Sequence, residues 1–82
     1  MKNCENISTF EALLNENSVI FEVTKETTRS KTYEISNKAQ IIIELSYNGR
    51  MTITDSEGYY SAKWNPEDTA MKSYILNLIF SN

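Results

Sequence analysis

Histidine is absent from these 82 residues, and cysteine and proline occur once each, as Cys4 and Pro66. Without histidine the commonest general base near neutral pH is missing. A single cysteine excludes an intramolecular disulfide, and with no histidine beside it a multi-cysteine zinc site as well. The plain reading of Cys4 is an inert residue on a loose N-terminus. Glycine is nearly as scarce, with Gly49 and Gly58 alone, so long flexible linkers are not expected. Long apolar runs are missing too. The longest, "YILNLIF", has seven residues and is interrupted by Asn77, whereas a bilayer needs ~20. The opening "MKNCENIS" has no apolar stretch and does not read as a signal peptide. Cytoplasm is therefore the default compartment, and the match of Asn6-Ile7-Ser8 to a glycosylation acceptor carries no weight. Neither a Ser-x-x-Lys pair, a glycine-rich phosphate loop nor a nucleophile elbow occurs. These absences argue against an enzyme and against a bound cofactor or metal.

What is present describes one small globular domain, spanning residues 1–82. The chain is 40% hydrophobic and 11% aromatic, which is too apolar for disorder. A domain of this size buries roughly 60–65% of the surface its unfolded chain exposes, so its stability margin is thin. Eleven acidic and eight basic residues give a net charge of −3. That balance disfavours non-specific attraction to phosphate backbones and is too mild to make the whole molecule a DNA mimic. Asn, Ile, Lys, Glu and Tyr have AT-rich codons, and their abundance fits a bacterial or phage genome of low GC content.

The hydropathy pattern predicts an α+β domain: a short helix, a five-stranded antiparallel meander and a long C-terminal helix packed on one sheet face. Ser8 with Glu11 three residues later has the form of a capping box, and Phe10, Leu13 and Leu14 follow as one narrow stripe. Asn15, Asn17 and Ser18 end that helix. About two turns cannot hold alone, so the helix must dock. Residues 18–25, 31–36, 40–46, 50–55 and 59–64 then alternate with period two, the mark of strands with one buried face. The buried sets are Val19, Phe21 and Val23; Tyr33 and Ile35; Ile41, Ile43 and Leu45; Met51 and Ile53; and Tyr60, Ala62 and Trp64. At the end, Asn65 reads as an N-cap with Pro66 at the first helical position and Glu67 and Asp68 at the positive end of the dipole. Met71, Tyr74, Ile75, Leu78 and Ile79 form the stripe of a helix over 66–80 that dominates the core.

The turn at Asn48-Gly49 tests this scheme. A two-residue loop would pair Tyr47 with Arg50 and throw Leu45 and Met51 onto opposite faces. A three-residue loop of Tyr47, Asn48 and Gly49, with Gly49 left-handed, instead pairs Leu45 with Met51 and Ile43 with Ile53. A one-residue slip would expose half the apolar set, so burial selects the longer loop. The connection "SNKAQ" lets Ile35 pair with Ile41, and a turn around Ser56-Glu57-Gly58 pairs Ile53 with Ala62 and Met51 with Trp64.

Three features point outward. Glu22, Glu34 and Glu44 sit centrally in the first three strands, opposite the core face, and pairing Val23 with Tyr33 sets Glu22 against Glu34. Like charges facing each other destabilise a ladder, so the register shifts by two residues, or the acids simply point into water, or they form an acidic patch that meets a basic partner. Tyr47 and Tyr59 stand beside turns and suit recognition, while Tyr33, Tyr60 and Tyr74 read as core. Leu76 and Phe80 lie outside the stripe of the last helix as an i, i+4 ridge; either the first helix covers them or they form a dimer seam. Arg29, Lys31, Arg50 and Lys63 are dispersed among acids along the chain, so a track for nucleic acid is not expected.

The reading these features favour is a non-catalytic protein-binding inhibitor, monomeric or homodimeric. Such a chain would come from a phage or mobile element and block a host defence nuclease, in the manner of an anti-CRISPR, by covering its basic nucleic-acid-binding surface. Its site would then be the host cell cytoplasm. It resembles that class in size, acidity and lack of motifs alone. The other classes weighed are a homodimeric regulatory module, a toxin-neutralising immunity protein and a nucleic-acid-binding module.

Overall fold

A computed structural model of the chain describes residues 5–36 and 40–80. The five alternating runs form one sheet in which every strand pairs antiparallel with its sequence neighbour: β1 (Phe21–Glu26), β2 (Ser30–Ile35), β3 (Ile41–Ser46), β4 (Arg50–Asp55) and β5 (Gly58–Lys63), in spatial order one to five. Helices α1 (Glu5–Glu16) and α2 (Thr69–Phe80) precede and follow it. The α+β meander expected from the pattern is the fold.

Burial sets the register. Ile35 pairs with Ile41, Tyr33 with Ile43, Ile43 with Ile53 and Leu45 with Met51, and all seven of these residues are fully buried on one face. The loop that permits this is Tyr47-Asn48-Gly49. The amide of Gly49 donates to the Ser46 carbonyl at 3.0 Å, Gly49 takes φ 97°, and the Asn48 side-chain oxygen accepts from the Arg50 amide. Only glycine enters that backbone region without strain, so the extra residue is absorbed and the apolar face stays whole.

The next hairpin differs from the sequence expectation by two residues. Met51 pairs with Ala62 and Ile53 with Tyr60, because Asp55 pairs with Gly58 and the loop is Ser56-Glu57 alone. Gly58, at φ 138°, belongs to the strand rather than to the turn. Trp64 is therefore released from the ladder with Met51. Its amide instead donates to the Gly49 carbonyl at 2.7 Å and its indole packs under α1.

α1 begins at Glu5, three residues before the proposed cap. Ser8 lies inside the first turns and its hydroxyl donates back to the Glu5 carbonyl, so the capping box does not form. The C-terminus ends as the Asn17-Ser18 pair implies. Ser18 is left-handed at φ 58°, its amide donates to the Asn15 carbonyl, and that of Val19 donates to the Leu14 carbonyl. This is a Schellman closure, with Val19 and Leu14 both buried in the core. α2 also starts later than expected. Asn65 caps only a local turn, accepting from the Glu67 amide, whereas the Asp68 carboxylate accepts from the Met71 amide at 3.1 Å and is the N-cap.

Both helices cover the same sheet face, and the shorter reading of α1 underrates it. Ile7, Phe10, Leu13 and Leu14 of α1 are buried, against Ile75 and Ile79 of α2. Phe10 is wedged between Tyr33 and Trp64, with ring centroids 5.2 and 5.3 Å away. Four hydrogen bonds fix the helix further. The Asn6 amide donates to the Tyr47 carbonyl, the Trp64 indole N–H donates to the Thr9 hydroxyl, and Glu11 accepts from Lys31 and Tyr33. Tyr74, expected in the core, is 46% exposed and only edges against Tyr60. Val23, likewise expected inside, is 39% exposed, because β1 is an edge strand whose residues beyond Phe21 the helices do not cover. Cys4 and most of the connection over 36–40 lie outside the described residues.

Candidate functional site

The sheet face away from the helices is left open by the fold, and pairing places its side chains in three rungs. One rung runs Glu22, Glu34, Ile42, Thr54, Tyr59 across the five strands. The middle rung is Lys25, Thr32, Glu44, Thr52, Ser61, and the third brings together Ser30, Ser46, Arg50 and Lys63. Serine and threonine supply six of these side chains. Such residues suit a flat, wetted strand surface.

The expected juxtaposition of Glu22 and Glu34 is present: they are direct cross-strand partners. The alternative, a register slipped by two residues, is not what forms. Glu44 lies on the neighbouring rung, one strand over, and accepts from the Ser30 hydroxyl at 2.9 Å. The three glutamates thus share one side of the face. Strand β1 then breaks register between Val23 and Lys25, which brings Lys25 opposite Thr32 on the same side.

Sequence reading missed the other pole. Arg50 and Lys63 are direct cross-strand partners, and Arg29 and Arg50 share an open hollow lined also by Thr27, Ser30, Glu44, Ser46 and Thr52. A second hollow is lined by Asn48, Arg50, Ala62 and Lys63. These cations are far apart in sequence, and only the hairpin registers collect them. Once the β3–β4 and β4–β5 pairings are known, Arg50 opposite Lys63 follows; the two-residue error at Gly58 hid it. Lys31, by contrast, faces the helices.

On the covered face, Lys31 and Glu11 form an ion pair at 2.7 Å, and the Tyr33 hydroxyl donates to the same carboxylate at 2.7 Å. Partial burial pushes the Glu11 carboxyl up, but the hydrogen bonds from Lys31 and Tyr33, with the lysine's charge, more than offset it and hold it below the ordinary value. Lys31 is raised by its hydrogen bond to Glu11, and Tyr33 by burial and then by the same carboxylate. This cluster ties α1 to β2.

No family model, curated protein or solved structure matches the chain.

The remaining predicted contacts divide. Tyr59 is 76% exposed and ends the acidic rung, opposite Thr54. Tyr47 is partly buried against the core, with its amide donating to the Arg29 carbonyl, so it offers a rim rather than an anchor. Leu76 and Phe80 are partly buried and pack on the core instead of standing as an uncovered ridge. Among the described residues no group of three or more His, Cys, Asp or Glu side chains is placed to hold a metal ion, and no helix is long and apolar enough to cross a membrane. Tyr59 and the Arg50–Lys63 pair sit on different rungs of the same face.

Proposed function

We propose that this chain is a non-catalytic protein-binding domain that works by covering a surface of a larger protein with its open sheet face. The observation that carries the reading is the direct opposition of Glu22 and Glu34, with Glu44 on the adjoining rung, on the face neither helix covers. Opposed carboxylates cost the ladder stability, and a cationic surface brought against them removes that cost. The specific instance we put forward is an inhibitor carried by a phage or mobile element. Its glutamates would meet the basic groups with which a host defence nuclease holds nucleic acid. Tyr59 would add contact area at the rim, where an aromatic side chain orders at little entropic cost. The small, mildly acidic chain, with no catalytic motif in its sequence, supports that instance.

Immobilised wild-type chain and the E22K/E34K/E44K variant are exposed to the same nuclease-treated host lysate, and captured proteins are identified by mass spectrometry. A protein retained by the wild type and lost by the variant, with unchanged circular dichroism, is the expected result. Equal capture by both removes the glutamates from the contact.

A further inference from the structure

We infer that the open face also docks on the open face of a second copy of this chain, with the glutamate end of each laid on the Arg50–Lys63 corner of the other. The inference rests on reading that face as a docking surface, and it names a partner whose chemistry is already known in full. Two like-charged pairs of opposite sign stand on one face: Glu22 opposite Glu34, and Arg50 opposite Lys63. Each opposition weakens its own ladder, and among the described residues neither pair is answered by an ion pair within the copy. Among the described residues the ion pair is Lys31–Glu11, which lies on the covered face.

The two pairs lie at diagonal corners. Glu22 and Glu34 are on β1 and β2 at one end of the strands, and Arg50 and Lys63 on β4 and β5 at the other. A two-fold axis in the contact plane, set across that diagonal, lays Glu22 and Glu34 of one copy on Arg50 and Lys63 of its mate and repeats the contact in reverse. This is an isologous interface. Because the charges are diagonal, the two sets of strands cross steeply, as in orthogonal sheet packing. The face as a whole is near neutral, with Glu22, Glu34 and Glu44 against Lys25, Arg29, Arg50 and Lys63, so two copies meet without net repulsion there. Ile42 and Tyr59, 36% and 76% exposed, give the contact its apolar share.

Strand spacing and the side-chain repeat make each face roughly 24 by 20 Å, so a dimer buries about 1,000 Å² in total. That is the low end of specific interfaces, and it sets a weak, exchangeable dimer that salt loosens. Self-docking would then hide the glutamates until a larger partner displaces the second copy.

Sedimentation equilibrium from micromolar to millimolar concentration tests this at low and high salt. The wild type is expected to dimerise at low salt, E22K/E34K and R50E/K63E each to be monomeric, and the combined E22K/E34K/R50E/K63E variant, which restores the wild-type net charge, to dimerise again. Concentration-dependent amide shifts in the wild type are expected at Thr32, Glu44, Thr52 and Ser61, which requires no substitution at all. A wild type that stays monomeric throughout, a fourfold variant that stays monomeric while folded, or shifts confined to the helices would overturn self-docking. Loss of lysate capture by E22K/E34K/E44K alongside a monomeric wild type would overturn it and leave the protein-binding reading standing.

Discussion

Glu11 shows how one side chain can carry a tertiary contact that no local motif announces. In sequence it completes a capping box with Ser8; in the fold it accepts from Lys31 and Tyr33, and α1 is fixed to β2 by the pair. Its carboxylate is only 27% exposed, so solvent screens the contact weakly. Hydrogen bonds to a charged group contribute roughly 1.5–3 kcal/mol each way, and we expect Glu11→Gln to lower unfolding stability by about 1–3 kcal/mol at neutral pH. The pH dependence has a definite sign. The folded-state pKa of Glu11 is depressed, so its contribution is present above the unfolded carboxylate value and is lost as pH falls through the folded value. Lys31 and Tyr33 are raised, so theirs is present below their unfolded values and is lost as pH rises through the folded ones. Urea titrations across pH should therefore show wild type and Glu11→Gln converging in acid. A gap that stays constant down to strongly acid pH would show that the charge is irrelevant.

At the scale of elements, α2 separates what sequence signals decide from what geometry decides. Asn65-Pro66-Glu67-Asp68 contains two good caps three residues apart, and propensity cannot choose between them. Asp68 wins, since its carboxylate reaches the Met71 amide while Asn65 closes a turn that lets the chain leave β5. Asp68→Ala is thus expected to cost about 0.5–2 kcal/mol, and Asn65→Ala distinctly less. Thermal or urea midpoints of the two variants decide the matter, and a reversed order would move the helix start back to Asn65. The same contrast runs through the rest of the fold. The Gly49 loop is legible because seven apolar residues on two hairpins share the face that its length keeps whole. The Gly58 loop is not, because Tyr60, Ala62 and Trp64 satisfy the alternation in either register and only the docking of Trp64 beneath Phe10 separates them. Likewise the stripe of α2 marked Tyr74 as core, although the sheet reaches only as far as Ile75 and Ile79 bury. Of the site, the glutamates were readable strand by strand, whereas the basic corner depends on the hairpin register that was misread.

For the molecule as a whole, the net charge of −3 misdescribes the surface that matters. Three acids and four bases share the open face, so the excess acidity lies elsewhere, on the helices, the turns and the strand-end residues Glu26 and Asp55. The face is instead divided, and its like-charged rungs are arranged against the stability of the sheet that carries them. On the proposed reading a counter-charge outside the sheet answers these pairs, in a chain whose stability margin is thin, as any domain this small must be. The consequence can be measured on the free chain. Glu22→Lys turns the Glu22–Glu34 opposition into an attraction, and cross-strand pairs of opposite charge are worth about 0.2–1 kcal/mol. We expect Glu22→Lys to be more stable than the wild type by that order at low salt, with the gain shrinking as salt screens it. It should bind its partner less well at the same time. Denaturant midpoints measured at low protein concentration, where no second copy is engaged, isolate the folding effect. A variant no more stable than the wild type under those conditions would mean that Glu22 and Glu34 point apart into water, and the case for an external counter-charge at that rung would fail with it.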